Sequence, residues 1–596
     1  MPLNRVMPWD IDISQRAQIS ESIAKAAARQ ELVKYTGFPY VMLKDRAKVA
    51  DKDETLRSNV GAASLVEKWV ATTLGPMGLD KMIVRDIGAG RPTRHVLVTN
   101  DTAEILGHLS TEHPVAKILA DVATTVDREV GDGTTTAVLL ACALVDVGSK
   151  LTQKGIHPST ITEGYELALK ESLGLCEELA SPFDRDSPGR YIETARMAIS
   201  GKGFSVSEEN LAGTAYSAVS TIASKAANSM DADLKDIKLV SWTGSAETRL
   251  ELVRGTILKN ALVDSGMPKK IEEAHIAIFS KPLMFRDYQS LTHDKITCVL
   301  NTPERFLEMR KERLKVIKGK GEHIVQSGSN VVLSRKGIDE ELIDYLRRHE
   351  VFTVRRIVEE DLARLSLATG GRIVGSVDEL STDDLGYAKL VEERKIGGSE
   401  WIFVDGCRNP KSVSIMICGH SEVAATETEH LLKNTLSIIA TLMREPRVVP
   451  GGGAIEVELA KRLRVWAPSN VGKKQFAVLA FAEALERVPE YLAQNAGLDS
   501  IDVLTELRAR HDAGQASAGV DPFTGRVQDM AQLRVFDPLA TLRQALASAT
   551  EAACLVLRTD GTITIPRTME ERVEKKQKER EQKGKKPEDW IDEVPY

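Results

Sequence analysis

Apolar positions recur at helix and strand periods along most of the chain. Val60, Leu65, Val66, Trp69, Val70 and Leu74 fall at about helical spacing, and Gly75-Pro76 closes that segment. The runs KMIVRDI and RHVLVTN read as strands around IGAGRPT, a loop punctuated by Gly and Pro. Helices are predicted over about 113–127 and 134–155, with GDGTTT between them. Another is predicted over 14–35, within a polar N-terminal arm. Residues 159 to about 240 read as helical and alanine-rich. Texture then changes. From 249 to 400, β-rich runs (ELVRGTIL, HIAIFS, NVVLSR, FTVRRIV, GGRIVGS) alternate with amphipathic helices (ERFLEMRKERLKVI, DEELIDYLRRH, EEDLARLSLA). That alternation predicts an α/β domain inserted between helical segments. Strands follow at WIFVDG and VSIMICG, then helices over 422–444 and 454–466. Similar helical texture on both sides of the insert predicts a discontinuous domain closed by both ends of the chain.

Composition narrows the class. A length of 596 residues sets a prior of about four domains. Hydrophobic residues at 42% and charged residues at 28% exclude a disordered chain or a fibre. The apolar run 137–145 is too short to span a bilayer. Residues 1–14 hold no apolar signal region, and six scattered cysteines form no CxxC pair. Both features predict a cytoplasmic chain with reduced thiols. The net charge of −7 does not describe a nucleic-acid coat. The basic stretch 310–320 is interleaved with Glu312, Leu314, Val316 and Ile317, which reads as a solvated amphipathic helix. His108 and His113, the closest histidine pair, lack zinc-helix spacing. Residues 567–596 carry nine basic and nine acidic residues and read as a solvated tail.

Four glycine or acidic loops carry candidate chemistry. Gly131, Asp132, Gly133, Thr134, Thr135 and Thr136 stand directly before an apolar helix. Free amides at a helix start attract phosphate, and an aspartate there can hold Mg²⁺. The same hexapeptide also reads as an ordinary polar N-cap, and its composition leaves both readings open. Leu74-Gly75-Pro76-Met77-Gly78 is a second such loop, Asp101 ends a strand, and Gly451 to Gly453 open another helix. Together the four point to a nucleotide pocket. The chain lacks GxxxxGK[ST], so this is not a P-loop ATPase. Gly88-Ala89-Gly90 lacks the third glycine of a dinucleotide fingerprint, and the central α/β region has no GxGxxG after a strand.

Read in order, TLGPMGLDKMIV, VTNDTAEIL, EHPVAKIL, VGDGTTTAVLL, GMPKKIE, SGSNVVLSRKGID, ATGGRIV, DLGYAKLVEERKIG, VVPGGGAIEVELA and LAQNAGLDSIDVL resemble the group II chaperonins, the archaeal thermosome and the eukaryotic cytosolic chaperonin. The resemblance runs from about residue 40 to 566. It implies an α+β multidomain chaperonin fold. A mostly helical, discontinuous equatorial domain that binds ATP and Mg²⁺ would span 40–158 and 441–566. A discontinuous intermediate hinge would span 159–248 and 399–440. An inserted α/β apical domain, 249–398, would bind clients and carry a helical protrusion as a lid. An arm (1–39) and a charged tail (567–596) fall outside. Partners would be other subunits of a double ring and non-native proteins, with neither nucleic acid nor membrane.

The resemblance also implies residue roles. Leu74, Gly75, Pro76 and Gly78 form a phosphate loop. Gly131, Gly133 and Thr134 to Thr136 form the phosphate cradle, and Asp132 holds the metal. Asp101 stands beside the terminal phosphate and Lys202 senses it. Gly452 and Asp537 approach the ribose. Phe306, Leu307 and Met309 are candidate client or lid contacts. Two departures stand out. Where the family reads E-x-E-R-x-L-x-D, this chain reads Glu427 to Asn434, so the carboxylate that orients the attacking water is an amide. Thr102 replaces the glycine that usually follows Asn-Asp. The first departure leaves two readings: an ATP-driven folding machine with attenuated hydrolysis, or a subunit or scaffold that binds ATP and hydrolyses it poorly.

Overall fold

The computed structural model describes residues 48–50, 52–86, 94–109, 113–201, 207–225, 230–244, 248–284, 303–408 and 410–564. The expected helix at 14–35, the loop 87–93, Lys202, the arm and the tail lie outside them. Two units are distinguished, Met1–Thr55 with Thr559–Tyr596, and Leu56–Arg558. In the first, Lys48–Ala50 pairs antiparallel with Thr562–Thr564. Everything below concerns the second.

Its largest core forms around the helix Thr134–Gln153. The stretch Ala137–Val145 of this helix is apolar on all sides and fully buried, as such helices are. By length and hydropathy the helix could cross a membrane, yet 72% of its apolar window is covered by the fold. Helices Pro114–Val130, Pro158–Leu179, Lys474–Leu485 and Leu539–Arg558 pack on it. Gly148 permits the closest approach: a Cβ there would lie 2.5 Å from Leu557 Cδ1. The buried Tyr165 donates its hydroxyl to Leu144 O at 2.9 Å and meets Phe481 edge-on. That contact satisfies the one polar atom of a ring otherwise surrounded by hydrocarbon.

A second core joins helices Pro188–Ile199, Glu208–Ile222 and Glu422–Arg444. They cover a three-stranded sheet in which Val413–Gly419 lies between Ile237–Thr243 (parallel) and Arg249–Val253 (antiparallel). Ser224–Lys225, Met230–Asp231 and Ile237–Thr243 are therefore strands, where a helix to about 240 was expected. The seven residues IKLVSWT are β-branched and aromatic enough to join a sheet edge.

The third region is a seven-stranded mixed sheet. Its order is Phe352–Val354, Val331–Ser334, Lys270–Phe279, Gly386–Ile396, Ser399–Asp405, Thr256–Leu258, with Ile373–Val374 also against Lys270–Phe279. Helices Glu340–Arg348 and Glu359–Thr369 lie between strands, as the alternation predicted. The run ELVRGTIL is broken in two. Arg249–Val253 belongs to the three-stranded sheet and Thr256–Leu258 to the large one. Gly255 makes the switch: a Cβ there would lie 2.1 Å from Val404 O. The helix expected from ERFLEMRKERLKVI runs on to Gln326. Leu307 on it is 53% exposed, while the side chains of Phe306 and Met309 lie outside the described residues.

Candidate functional site

The glycine loops converge on one cavity of about 400 Å³, a volume in the range of small-molecule sites. Its walls come from distant parts of the chain because each loop sits at the end of an element that the core holds in place.

One wall is the start of the helix Thr134–Gln153. Gly133 is its N-cap in the left-handed region (φ 77°), with no side chain capping the helix. The first helical bond is Ala137 N to Gly133 O at 3.0 Å, so the amides of Thr134, Thr135 and Thr136 precede the ladder. All three threonines line the cavity. A Cβ on Gly133 would reach within 2.7 Å of Thr541 Cγ2. Thr541 also lines the cavity, and its buried hydroxyl has no partner among the described residues. An acceptor-rich guest suits such a cradle.

A second wall is Leu74-Gly75-Pro76. Asn495 holds this loop by donating from Nδ2 to Ala71 O (2.8 Å) and Leu74 O (2.9 Å). Gly201 meets it closely, since a Cβ there would lie 2.2 Å from Pro76 O. Ser200 lines the cavity, and Lys202, two residues on, lies outside the described residues. Gly452 and Gly453, both left-handed, form a third wall beside Val520 and Met530 of a neighbouring hairpin. Apolar side chains from that hairpin and from Leu492 and Val535 also line the cavity.

Acidic groups line the cavity as well. Asp101 caps the helix Thr102–His108: Oδ1 accepts from Ala103 N at 2.8 Å, and Oδ2 has no protein partner among the described residues. Asp132, Asp521, Asp537 and Glu456 also line the cavity, and Asn434 alone reaches it from residues 427–434. The described lining contains five carboxyl side chains and no lysine, arginine or histidine. A polyphosphate would be repelled there unless a cation accompanied it. A hard divalent ion suits this oxygen-only donor set.

Two predicted residues stand apart. Gly78 shapes the turn behind the second wall, where a Cβ would lie 2.4 Å from Thr73 O. Gly131 (φ 67°) caps the preceding helix against Ser437, 2.2 Å from where its Cβ would be. Neither lines the cavity, so both serve backbone packing. Sequence reasoning missed Glu456, Asp521, Thr541 and the apolar hairpin. Glu456 could have been found: GGGAIEVE places it in the first turn after a glycine loop.

The electrostatics are unusual. Burial pushes the Glu456 carboxyl up from 4.5 to about 7, with Asp537 adding to the shift. Asp537 is likewise raised to about 7 by desolvation and then by Asp132. Asp537 is exposed and lines the cavity. The buried Glu456 gives the cleaner test. Its folded value is raised, so between about pH 4.5 and 7 the native state holds a proton that the unfolded state has released. That stabilisation is full below pH 4.5, is lost as pH rises to 7, and then stays constant. Glu456→Gln is neutral throughout. Its stability relative to wild type should therefore rise between pH 5 and pH 8, by up to about 3 kcal/mol. Unfolding midpoints of both proteins at the two pH values measure this. Parallel profiles would contradict a buried neutral Glu456.

Known proteins carry the same plan. The sequence profile of the TCP-1/cpn60 chaperonin family matches residues 66–566. A thermosome subunit of Methanopyrus kandleri is 41% identical over 85% of this chain and 91% of its own length. Thermosome subunit beta of Archaeoglobus fulgidus is 39% identical over 88% and 95%. The open-state monomer of a group II chaperonin from Methanococcoides burtonii superposes with a TM-score of 0.54 at 34% identity, covering 72% of this chain and all of its own. The mixed helix-and-sheet regions, the ordered loops and these relatives agree: the chain belongs to the TCP-1/cpn60 chaperonin family, as a group II chaperonin subunit.

Proposed function

We propose that the subunit binds ATP with Mg²⁺ in the cavity and uses the nucleotide to drive closure of a double ring around non-native proteins. The carrying observation is the convergence of four sequence-distant loops on one cavity, which brings an uncapped helix start and five carboxyls together in its lining. Residues 40–158 with 441–566 form the equatorial domain in this reading, 159–248 with 399–440 the hinge, and 249–398 the client-binding domain. The amides and hydroxyls of Thr134 to Thr136 cradle phosphate oxygens, and Asp132 holds the metal. Bound magnesium supplies charge neutralisation of the phosphates. Asp101 presents its unpaired oxygen beside the terminal phosphate, Lys202 senses it from the adjoining loop, and Asp537 and Gly452 meet the ribose. Exposed Leu307 contacts client or lid. The chain works in the cytoplasm.

A second reading rests on Asn434. An amide can hydrogen-bond water but cannot accept its proton as a carboxylate does. Binding then persists while hydrolysis is slow, and the subunit acts as a structural member of a ring or as a scaffold. Electron microscopy with and without MgATP tests the assembly shared by both readings: stacked rings that close on nucleotide are expected. A monomer under every nucleotide condition would overturn it.

A further inference from the structure

Thr102 is the first residue of the helix capped by Asp101, and it is fully buried. Its Oγ1 lies 2.7 Å from Oγ1 of Thr135, which lines the cavity at the start of the helix Thr134–Gln153. This is the only hydrogen bond either hydroxyl makes among the described residues. It joins the turn that carries Asp101 to the cradle across 33 residues of chain.

The direction of the bond follows from burial. If Thr135 donated, the proton of Thr102 would be buried without an acceptor, which is costly. If Thr102 donates, its proton is satisfied and the Thr135 proton is free to turn into the cavity. An accepted hydrogen bond also polarises the Thr135 hydroxyl and strengthens what it donates. We propose that Thr102 is a positioning residue: it donates to Thr135 and so aims the Thr135 hydroxyl at a phosphate oxygen of the bound nucleotide. The inference rests on the cavity being the ATP site.

The test is a mutant cycle read by MgATP affinity on the assembled protein. Thr102→Val keeps the shape and removes the hydroxyl. It should weaken MgATP binding about three- to tenfold, the usual weight of one neutral hydrogen bond. Thr102→Ser should restore affinity to within about twofold. Thr135→Val should weaken binding at least as much as Thr102→Val, and adding Thr102→Val to it should change little, because the relay is already broken. A purely structural Thr102 would instead give additive losses, and that result would overturn the proposal. So would unchanged affinity in Thr102→Val when Thr135→Val is impaired, or a serine variant as weak as valine. Should the valine variant not fold, Thr102→Ala set against Thr102→Ser gives the same comparison. If the wild type itself binds no MgATP, the site reading falls and takes this inference with it. Failure at Thr102 alone leaves the site reading standing.

Discussion

Asn434→Asp is expected to raise the single-turnover rate of ATP hydrolysis by about 10²–10⁴-fold, the usual weight of a positioned general base. Asn434 is half-buried and is the one residue of 427–434 that reaches the cavity; Lys433 beside it turns outward to pair with Glu429 at 3.0 Å. Asparagine and aspartate are nearly isosteric, so the change is one of charge and proton affinity. The same substitution would make a sixth carboxyl in a lining that holds five and no described cation. MgATP affinity should therefore fall several-fold as the rate rises. This opposed pair of effects separates a recovered base from a general repair of folding, which would move both in the same favourable direction. Equal, fast hydrolysis by both proteins would sink the hydrolysis-poor reading. Equal, slow hydrolysis would show that position 434 is not where the rate is lost.

Legibility in the sequence followed the physics of each element. The helices Glu422–Arg444 and Ala454–Trp466 lie at their predicted bounds because a serine cap and a glycine triplet mark their starts. The glycine turns of the cavity wall were legible for the same reason: left-handed backbone favours glycine at Gly75, Gly133 and Gly452. Features set by tertiary contact were not. ELVRGTIL reads as one β-rich run, yet Gly255 passes the chain from one sheet to another. Glu456 lies just past a glycine loop and draws no notice in the sequence, but it is buried beside the cavity, and that burial raises its carboxyl to about 7. The Thr102–Thr135 bond joins two unremarkable hydroxyls whose proximity depends on how two helices start side by side. Gly131 reads as part of the cradle because it belongs to the same hexapeptide. The structure gives it to Ser437 instead, on the helix that carries Asn434.

That separation gives the second large effect. Gly131 and Gly133 flank Asp132, and both have positive φ, yet only Gly133 lines the cavity. Gly133→Ala places a Cβ 2.7 Å from Thr541 Cγ2 at a φ of 77°. Left-handed backbone costs an ordinary residue about 1–2 kcal/mol, and overpacking adds about 1–3 kcal/mol. The chain can relieve both by opening the turn, which withdraws the amides of Thr134 to Thr136. A guest that needs the turn closed must repay about 2–5 kcal/mol, roughly one and a half to three and a half decades of affinity. MgATP binding by Gly133→Ala should fall by that factor. Gly155→Ala is the matched control: its φ is 83°, nothing lies within 4 Å of its Cβ, and it stands outside the cavity lining. It should carry the backbone strain as a small loss of melting temperature and bind MgATP like wild type. If Gly133→Ala also bound within about threefold of wild type, the helix start would not be a phosphate cradle. The polar N-cap, the other reading of GDGTTT, would then hold.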